Sequence, residues 1–487
     1  MRRQIDKRRT IIGLLIGLML LGNGCALLPE AGDRAKLLDM PSLEQTANAD
    51  SAVEKRVREW PRAQWWRDFH NPELERLVET ALSGSPALRI VRARLGQAQA
   101  VADYQAAEML PSVGASVDVH LRHFSETDFY GPTGGTTAFG AYIDPLVFRY
   151  HLDLWGKDRA ALEAALGREQ AQASELAVAK LILSTSIARS YFRLCSAEEE
   201  IKLAQVLVAD AEEMLRLARL RRDKGIDKQD PVHAAEQKLA AAHQREASLR
   251  AEARVLRNRL AALSGQGPDW GKAITTPESA FHGPFPLPES LSIGLLAHRP
   301  DVAAALWRVK AAAKLVKVAE TEFYPDVNLV GFAGLHSLNL KDLFLSNGAS
   351  VAYSIGPTVT LPIFEGGRLE ASLKNEQAGY DAAVESYNEA LLNAVQQVAD
   401  ALAHWRKSRE HDEAQERALH AAEAEAALNE KRFRAGLNTR DSEIEANMQM
   451  IEQQLKLSEL QAGHLQAAVG LIEALGGGYE SKATQYE

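Results

Sequence analysis

Two hydrophobic periods divide the chain. Over residues 112–122 the side chains alternate strictly. Val113, Ala115, Val117, Val119 and Leu121 fall on one face, and Ser112, Gly114, Ser116, Asp118, His120 and Arg122 on the other. A period of two predicts a strand with one apolar face. Residues 146–154 alternate in the same way, as do 351–361, where Val351, Tyr353, Ile355, Val359 and Leu361 oppose Ala352, Ser354, Gly356, Thr358 and Thr360. A less regular strand is expected at 326–334. Pro145 and Pro357 fall in or beside these segments and count against them as strands, because a proline cannot donate to a strand ladder.

The other period is helical. Residues 156–222 and 366–433 run for 67 and 68 positions without a proline. At about 1.5 Å per residue each would reach roughly 100 Å as one helix. Shorter helices are expected at 86–110, 228–264, 298–324 and 439–475. Two short ones end to end match one long one. Val232, Ala235, Leu239, Ala242, Leu249, Ala253, Leu256, Leu260 and Leu263 recur at three- and four-residue steps, with Glu246 the one break. That is a coiled-coil seam. Aromatic residues are only 6% of the chain, so Ala and Leu carry this apolar content, as long helices require.

The elements occur twice. Ala107-Glu108-Met109-Leu110-Pro111-Ser112-Val113 matches Thr321-Glu322-Phe323-Tyr324-Pro325-Asp326-Val327 at an offset of 214, and Pro86 matches Pro300 at the same offset. Leu154-Trp155 pairs with Ile363-Phe364 at 209, and Gly225 and Asp230 pair with Gly436 and Asp441 at 211. Such self-similarity predicts two tandem copies, 70–268 and 289–478, joined by a linker at 269–288 that carries Gly283-Pro284-Phe285-Pro286-Leu287-Pro288. A tail follows at 479–487.

Strands of this length and alternation fit a membrane crossing, which takes about 9–11 residues. A soluble hairpin would alternate equally well, so the decision comes from the N-terminus. Arg2, Arg3, Lys7, Arg8 and Arg9 precede an apolar run from Ile11 to Gly22. That run is shorter than the ~20 residues of a spanning helix and reads as an export signal over 1–24. It ends in Leu21-Gly22-Asn23-Gly24-Cys25, small residues before a cysteine, the pattern of a site at which Cys25 is lipidated and becomes the new N-terminus of a segment 25–69. Residue 26 is Ala rather than Asp, which favours the outer membrane. Four strands cannot close a barrel, the smallest having about eight, so several chains would share one.

The formal charge of −9, more negative once the basic signal is removed, argues against a nucleic-acid partner. Cys25 and Cys195 are the only cysteines, and Cys195 falls within a helix as an inert buried thiol. Catalytic signatures are missing: no phosphate-binding loop, no G-x-S-x-G and no H-E-x-x-H. His120 and His123 lie three apart on a strand, on opposite faces, which counts against a metal pair. Trp65 and Trp66 are expected to pack the N-terminal segment onto the helices. No cofactor and no enzymatic activity are expected.

Five strings in order resemble one family: Trp65-Trp66-Arg67-Asp68-Phe69-His70-Asn71-Pro72-Glu73-Leu74, His298-Arg299-Pro300-Asp301-Val302, Phe323-Tyr324-Pro325, Ser354-Ile355-Gly356-Pro357 and Leu361-Pro362-Ile363-Phe364-Glu365-Gly366-Gly367-Arg368-Leu369. The chain resembles TolC-like outer membrane efflux proteins, and among them the lipoprotein (NodT) branch serving resistance-nodulation-division pumps. The resemblance implies a fold that is mainly α with membrane β. In it a homotrimer's 12-stranded β-barrel, four strands per chain, continues into a long α-helical coiled-coil barrel. It implies a periplasmic adaptor protein and an inner-membrane pump as partners, and outer membrane lipid as surroundings. It places the helix turns at Gly225-Ile226 and Gly436-Leu437 at a periplasmic tip that meets the adaptor. Acids just after the second turn narrow that tip, and carried over by spacing they give Asp441, Ser442 and Glu445, with Asp230 in the first copy. Helix capping is an alternative for each: Asp230 as N-cap before Pro231, and Ser442 as the start of a capping box with Glu445. Two alternatives to drug efflux stand: a type I secretion channel, or a periplasm-spanning structural lipoprotein without a pore. The polar strand faces count against the latter.

Overall fold

The computed structural model describes residues 34–39, 62–127, 134–277, 299–344 and 348–480. The export signal, Cys25, the Gly283–Pro288 run and the segment 481–487 lie outside the described residues. The helices are α1 (Pro72–Gly84), α2 (Pro86–Glu108), α3 (Lys157–Asp223), α4 (Asp230–Leu263), α5 (Pro268–Gly271), α6 (Pro300–Thr321), α7 (Arg368–Arg434) and α8 (Arg440–Ala474). The strands are β1 (Ser112–His123), β2 (Thr137–His151), β3 (Asp326–Ser337) and β4 (Val351–Thr360). α3 and α7 have 67 residues each, as the proline-free runs predict. Two compact units result. The first takes in Leu95–Ala171 and Ala305–Tyr387, the second the described parts of Leu38–Arg94, Gln172–Ala304 and Asn388–Glu487.

The first unit holds one antiparallel sheet, ordered β1-β2-β3-β4. Its register keeps all four apolar rows on one side: Val117 opposite Ile143, Ile143 opposite Leu335, and Leu335 opposite Val351. Most of this row is bare, with Val117 67% and Tyr353 79% exposed. The other side carries Asp118, His120, Tyr142, Asp144 and His336. There the His120 ring lies 2.6 Å from Asp118 and stacks on Tyr142, and His336 lies 2.8 Å from Asp144. His123 is on the opposite side and meets Thr137, 2.9 Å away.

The two prolines are accommodated differently. β2 begins at Thr137, nine residues before the alternation at 146 becomes regular. Pro145 sits where β2 sets two residues against one of β1 and one of β3, a bulge in which the missing donor costs little. Pro357 faces Leu329 on β4, an edge strand. Where the sheet meets the helices, the Trp155 indole donates to the Pro325 carbonyl at 2.7 Å and stacks on Tyr324. Ala319, Phe323, Leu369 and Leu373 form a small core below it.

The second unit is helical and has its own core. Trp65 and Trp66 are buried against α1, α3 and α4, together with Tyr191, Phe192 and Leu260. Asn71 ties this segment down twice: its Oδ1 accepts from the Leu74 amide, capping α1, and from the Tyr191 hydroxyl. Cys195 belongs to the same core, and burial pushes its thiol up to about 12. The α4 seam is buried at Val232, Ala235, Ala242, Leu249, Ala253 and Leu260. Glu246 is satisfied by Arg250, one turn on.

Candidate functional site

The two helix turns carry the residues that the sequence singles out, and both belong to the second unit. They are built alike. After α3 the Gly225 amide donates to the Arg222 carbonyl and the Ile226 amide to that of Arg221. After α7 the Gly436 amide donates to Phe433 and the Leu437 amide to Arg432. This is the double bond of a Schellman cap, which needs a left-handed residue, and Gly225 and Gly436 supply it with φ of +70° and +71°. The apolar residue after each glycine is left in the open, Ile226 67% and Leu437 78% exposed.

Charge at the turns follows the helix dipoles. Arg221 and Arg222 close α3, and Lys431, Arg432 and Arg434 close α7, where carbonyls are unpaired. Asp441 and Glu443 open α8, where amides are unpaired.

The capping expectations are corrected. α4 starts at Asp230 itself, its N-cap is Gln229, and no side chain caps it. Asp230 is therefore an exposed first-turn residue. α8 is capped by Thr439, whose Oγ1 accepts from the Ser442 amide at 3.3 Å. Ser442 is thus the third residue of the helix, with its hydroxyl 3.0 Å from that of Thr439, and not the start of a capping box.

Asp441 and Glu445 point across to the first repeat. Asp441 forms an ion pair with Arg221, whose Nε also lies 3.4 Å from Asp227. Glu445 accepts from Lys238 at 2.8 Å. Asn447 donates to Asp210 at 2.5 Å, and Arg245 pairs with Glu452. Burial pushes the Asp210 carboxyl up, while the bond from Asn447 pulls it down. A polar seam therefore binds the start of α8 to α3 and α4. Farther along, Ile451 and Leu455 of α8 pack with Leu207, Val208, Ala211 and Ala242. Arg221, Lys238 and Asp210 escape a sequence reading because their partners are more than 200 residues away; only their charge could have hinted at them.

A second polar cluster lies where α7 faces α8. The His464 ring is 2.9 Å from the Ser408 hydroxyl and 3.7 Å from Asp412, and one Asp412 oxygen is buried with no hydrogen-bond partner among the described residues. Burial, with Glu416 adding repulsion, pushes the Asp412 carboxyl up to about 6; burial lowers His464.

A sheet with one bare apolar face, set in a chain of two repeats with helices of 67 residues, defines a class of membrane protein in which strands, not helices, meet lipid. No helix among the described residues is long and apolar enough to cross a membrane. The family model described as "Outer membrane efflux protein" matches residues 77–266 and 293–477, and the chain belongs to that family. It is an outer membrane efflux protein, not an enzyme. It is 32% identical over 371 residues to the fusaric acid resistance protein FusA of Burkholderia cepacia, covering 76% of this chain and 70% of that one. To the multidrug resistance outer membrane protein MdtP of Escherichia coli K12 it is 29% identical, covering 97% of each. Among solved structures it is similar to the outer membrane protein VceC of Vibrio cholerae, with 32% identity, a TM-score of 0.77, and coverage of 86% of this chain and 100% of the other. It is also similar to the outer-membrane channel OprN, with 26% identity, a TM-score of 0.79, and coverage of 92% and 99%.

Proposed function

We propose that three copies share one 12-stranded barrel and form the exit duct of a tripartite efflux system for small molecules such as drugs or other toxic compounds. The carrying observation is the four-stranded sheet: its apolar face is exposed on both edge strands, β1 and β4, and half-buried on β3, and four strands are too few to close. Apolar rows outward and the Asp118–His120–Tyr142–His336 side inward give a water-filled lumen in lipid.

In this reading the helix turns are the inner tip. A periplasmic adaptor rests on the exposed Ile226 and Leu437 beside Gly225 and Gly436, and a resistance-nodulation-division pump supplies cargo and energy. Asp230, Asp441, Ser442 and Glu445 line the gate. The first turn of α8 is held to α3 and α4 by ion pairs of half-exposed groups, each worth about 0–1 kcal/mol, so an adaptor can release them cheaply. The apolar contacts at Ile451 and Leu455 then act as the pivot. Cys25 carries the lipid that adds an anchor in the outer membrane.

The test is single-channel conductance in a planar bilayer. The wild type is compared with Asp230→Ala/Asp441→Ala/Glu445→Ala. A small cation-selective conductance that grows and loses selectivity in the variant supports the duct and its acidic gate. Equal conductances keep the duct and return these acids to tying helices together. No conductance from folded trimers sinks the duct in favour of a structural lipoprotein. Deleting the protein separates the cargo classes: lost drug tolerance supports efflux, and a lost secreted polypeptide supports type I secretion.

A further inference from the structure

The internal repeat leaves one contact made once and owed once. In the first copy the aromatic after β2, Trp155, is seated on Tyr324 and Pro325, with ring centroids 5.2 Å apart and the indole bonded to the Pro325 carbonyl. Its equivalent in the second copy is Phe364, after β4, by the 209-residue offset. Among the described residues nothing comparable covers it: Phe364 is 89% exposed and Ile363 83%, against 46% for Trp155. The equivalents of Tyr324 and Pro325, by the 214-residue offset, are Leu110 and Pro111, just before β1. Leu110 is likewise bare, at 65%.

β1 and β4 are the two opposite edges of the sheet, so one chain cannot bring Phe364 onto its own Leu110 without closing four strands on themselves. A second copy can. We propose that Ile363-Phe364 of one copy seats on Leu110-Pro111 of the next, beside antiparallel pairing of β4 with the neighbour's β1, as Trp155 seats on Tyr324-Pro325 beside β2 and β3. The inference rests on the shared-barrel reading above and adds its inter-copy contact. Both edges keep their apolar rows on odd-numbered residues, Val113 to Leu121 and Val351 to Val359, so odd-to-odd pairing continues one apolar face from copy to copy. Repeated three times, the contact forms a collar below the barrel.

The full chain carrying Leu110→Cys and Phe364→Cys together is purified in detergent and treated with a short thiol-to-thiol bridging reagent. Covalent dimers and trimers, none larger, are expected on a denaturing gel. The single variants should stay monomeric, and the two singles co-expressed should give dimers only. A trimer by native mass with no bridges in the double variant overturns the collar and leaves the shared barrel standing. A wild type that is monomeric by native mass overturns both. To guard against a variant that fails to assemble, p-benzoylphenylalanine replaces Phe364 and keeps its aromatic bulk. A photo-adduct on residues 108–113 of another copy is the expected product. An adduct on lipid instead makes Phe364 part of a lipid-facing girdle and overturns the proposal.

Discussion

Arg221 is the residue that ties the two helix turns together. It ends α3, neutralises Asp441 of α8 and lies near Asp227 of its own turn. Arg221→Ala leaves two carboxylates facing each other without a cation. The groups are about a third exposed, so solvent screens the loss and it should amount to about 1 kcal/mol or less, which, if the pair holds the proposed gate closed, is up to about fivefold in the ratio of open to closed channels. Time-resolved single-channel records read that ratio, and an unchanged open fraction would mean that this ion pair does not hold the proposed gate closed. Asp412 gives a pH prediction. Its folded pKa is raised above its unfolded value by burial, so the ionised form is the penalised one. The penalty is present above about pH 6 and fades as pH falls from 6 towards 4. Asp412→Asn should therefore raise the melting temperature at pH 8 and leave it nearly unchanged at pH 4. Equal shifts at both pH values would place the effect outside titration.

At the scale of elements, Gly436 is the sharpest case. A side chain there would sit at φ +71°, in the left-handed region that costs L-residues about 1–2 kcal/mol. Gly436→Ala should raise amide exchange over 432–442 by roughly five- to thirtyfold while leaving 451–470 unaltered. Exchange rising along all of α8 would refute a turn that frays locally. Most elements could be read from the sequence because their signals are local. The proline-free runs became α3 and α7, the seam from Val232 to Leu263 became the inward side of α4, and strict alternation became β1 and β4. What could not be read depends on neighbours. β2 extends back to Thr137 through Gly140 and the Pro145 bulge, which partner strands on both sides make tolerable. The caps at Thr439 and Gln229 were displaced from Ser442 and Asp230 by where the preceding turns end. The acids after the turns could be singled out by their spacing from a glycine, given the family resemblance. Their cations could not, because Arg221 and Lys238 reach them only after the two repeats have paired.

At the scale of the molecule, α8 is held within the second unit by two kinds of contact. Asp441, Glu445 and Glu452 meet Arg221, Lys238 and Arg245, all partly exposed, while Ile451 and Leu455 sit in an apolar cluster. Salt acts on the first kind of contact and hardly on the second. Raising ionic strength from about 0.1 M to about 1 M shortens the screening length from about 10 Å to about 3 Å. If the polar seam holds the tip closed, conductance divided by bulk conductivity should rise with salt. Arg221→Ala/Lys238→Ala should begin high and respond little, because its seam is already loosened. A variant that responds as steeply as the wild type would mean that salt acts elsewhere, for instance on the Asp118 and Asp144 carboxylates of the sheet. The apolar cluster sets the limit: it keeps α8 attached whatever the salt, so a reversible rise is expected and not dissociation of the helices.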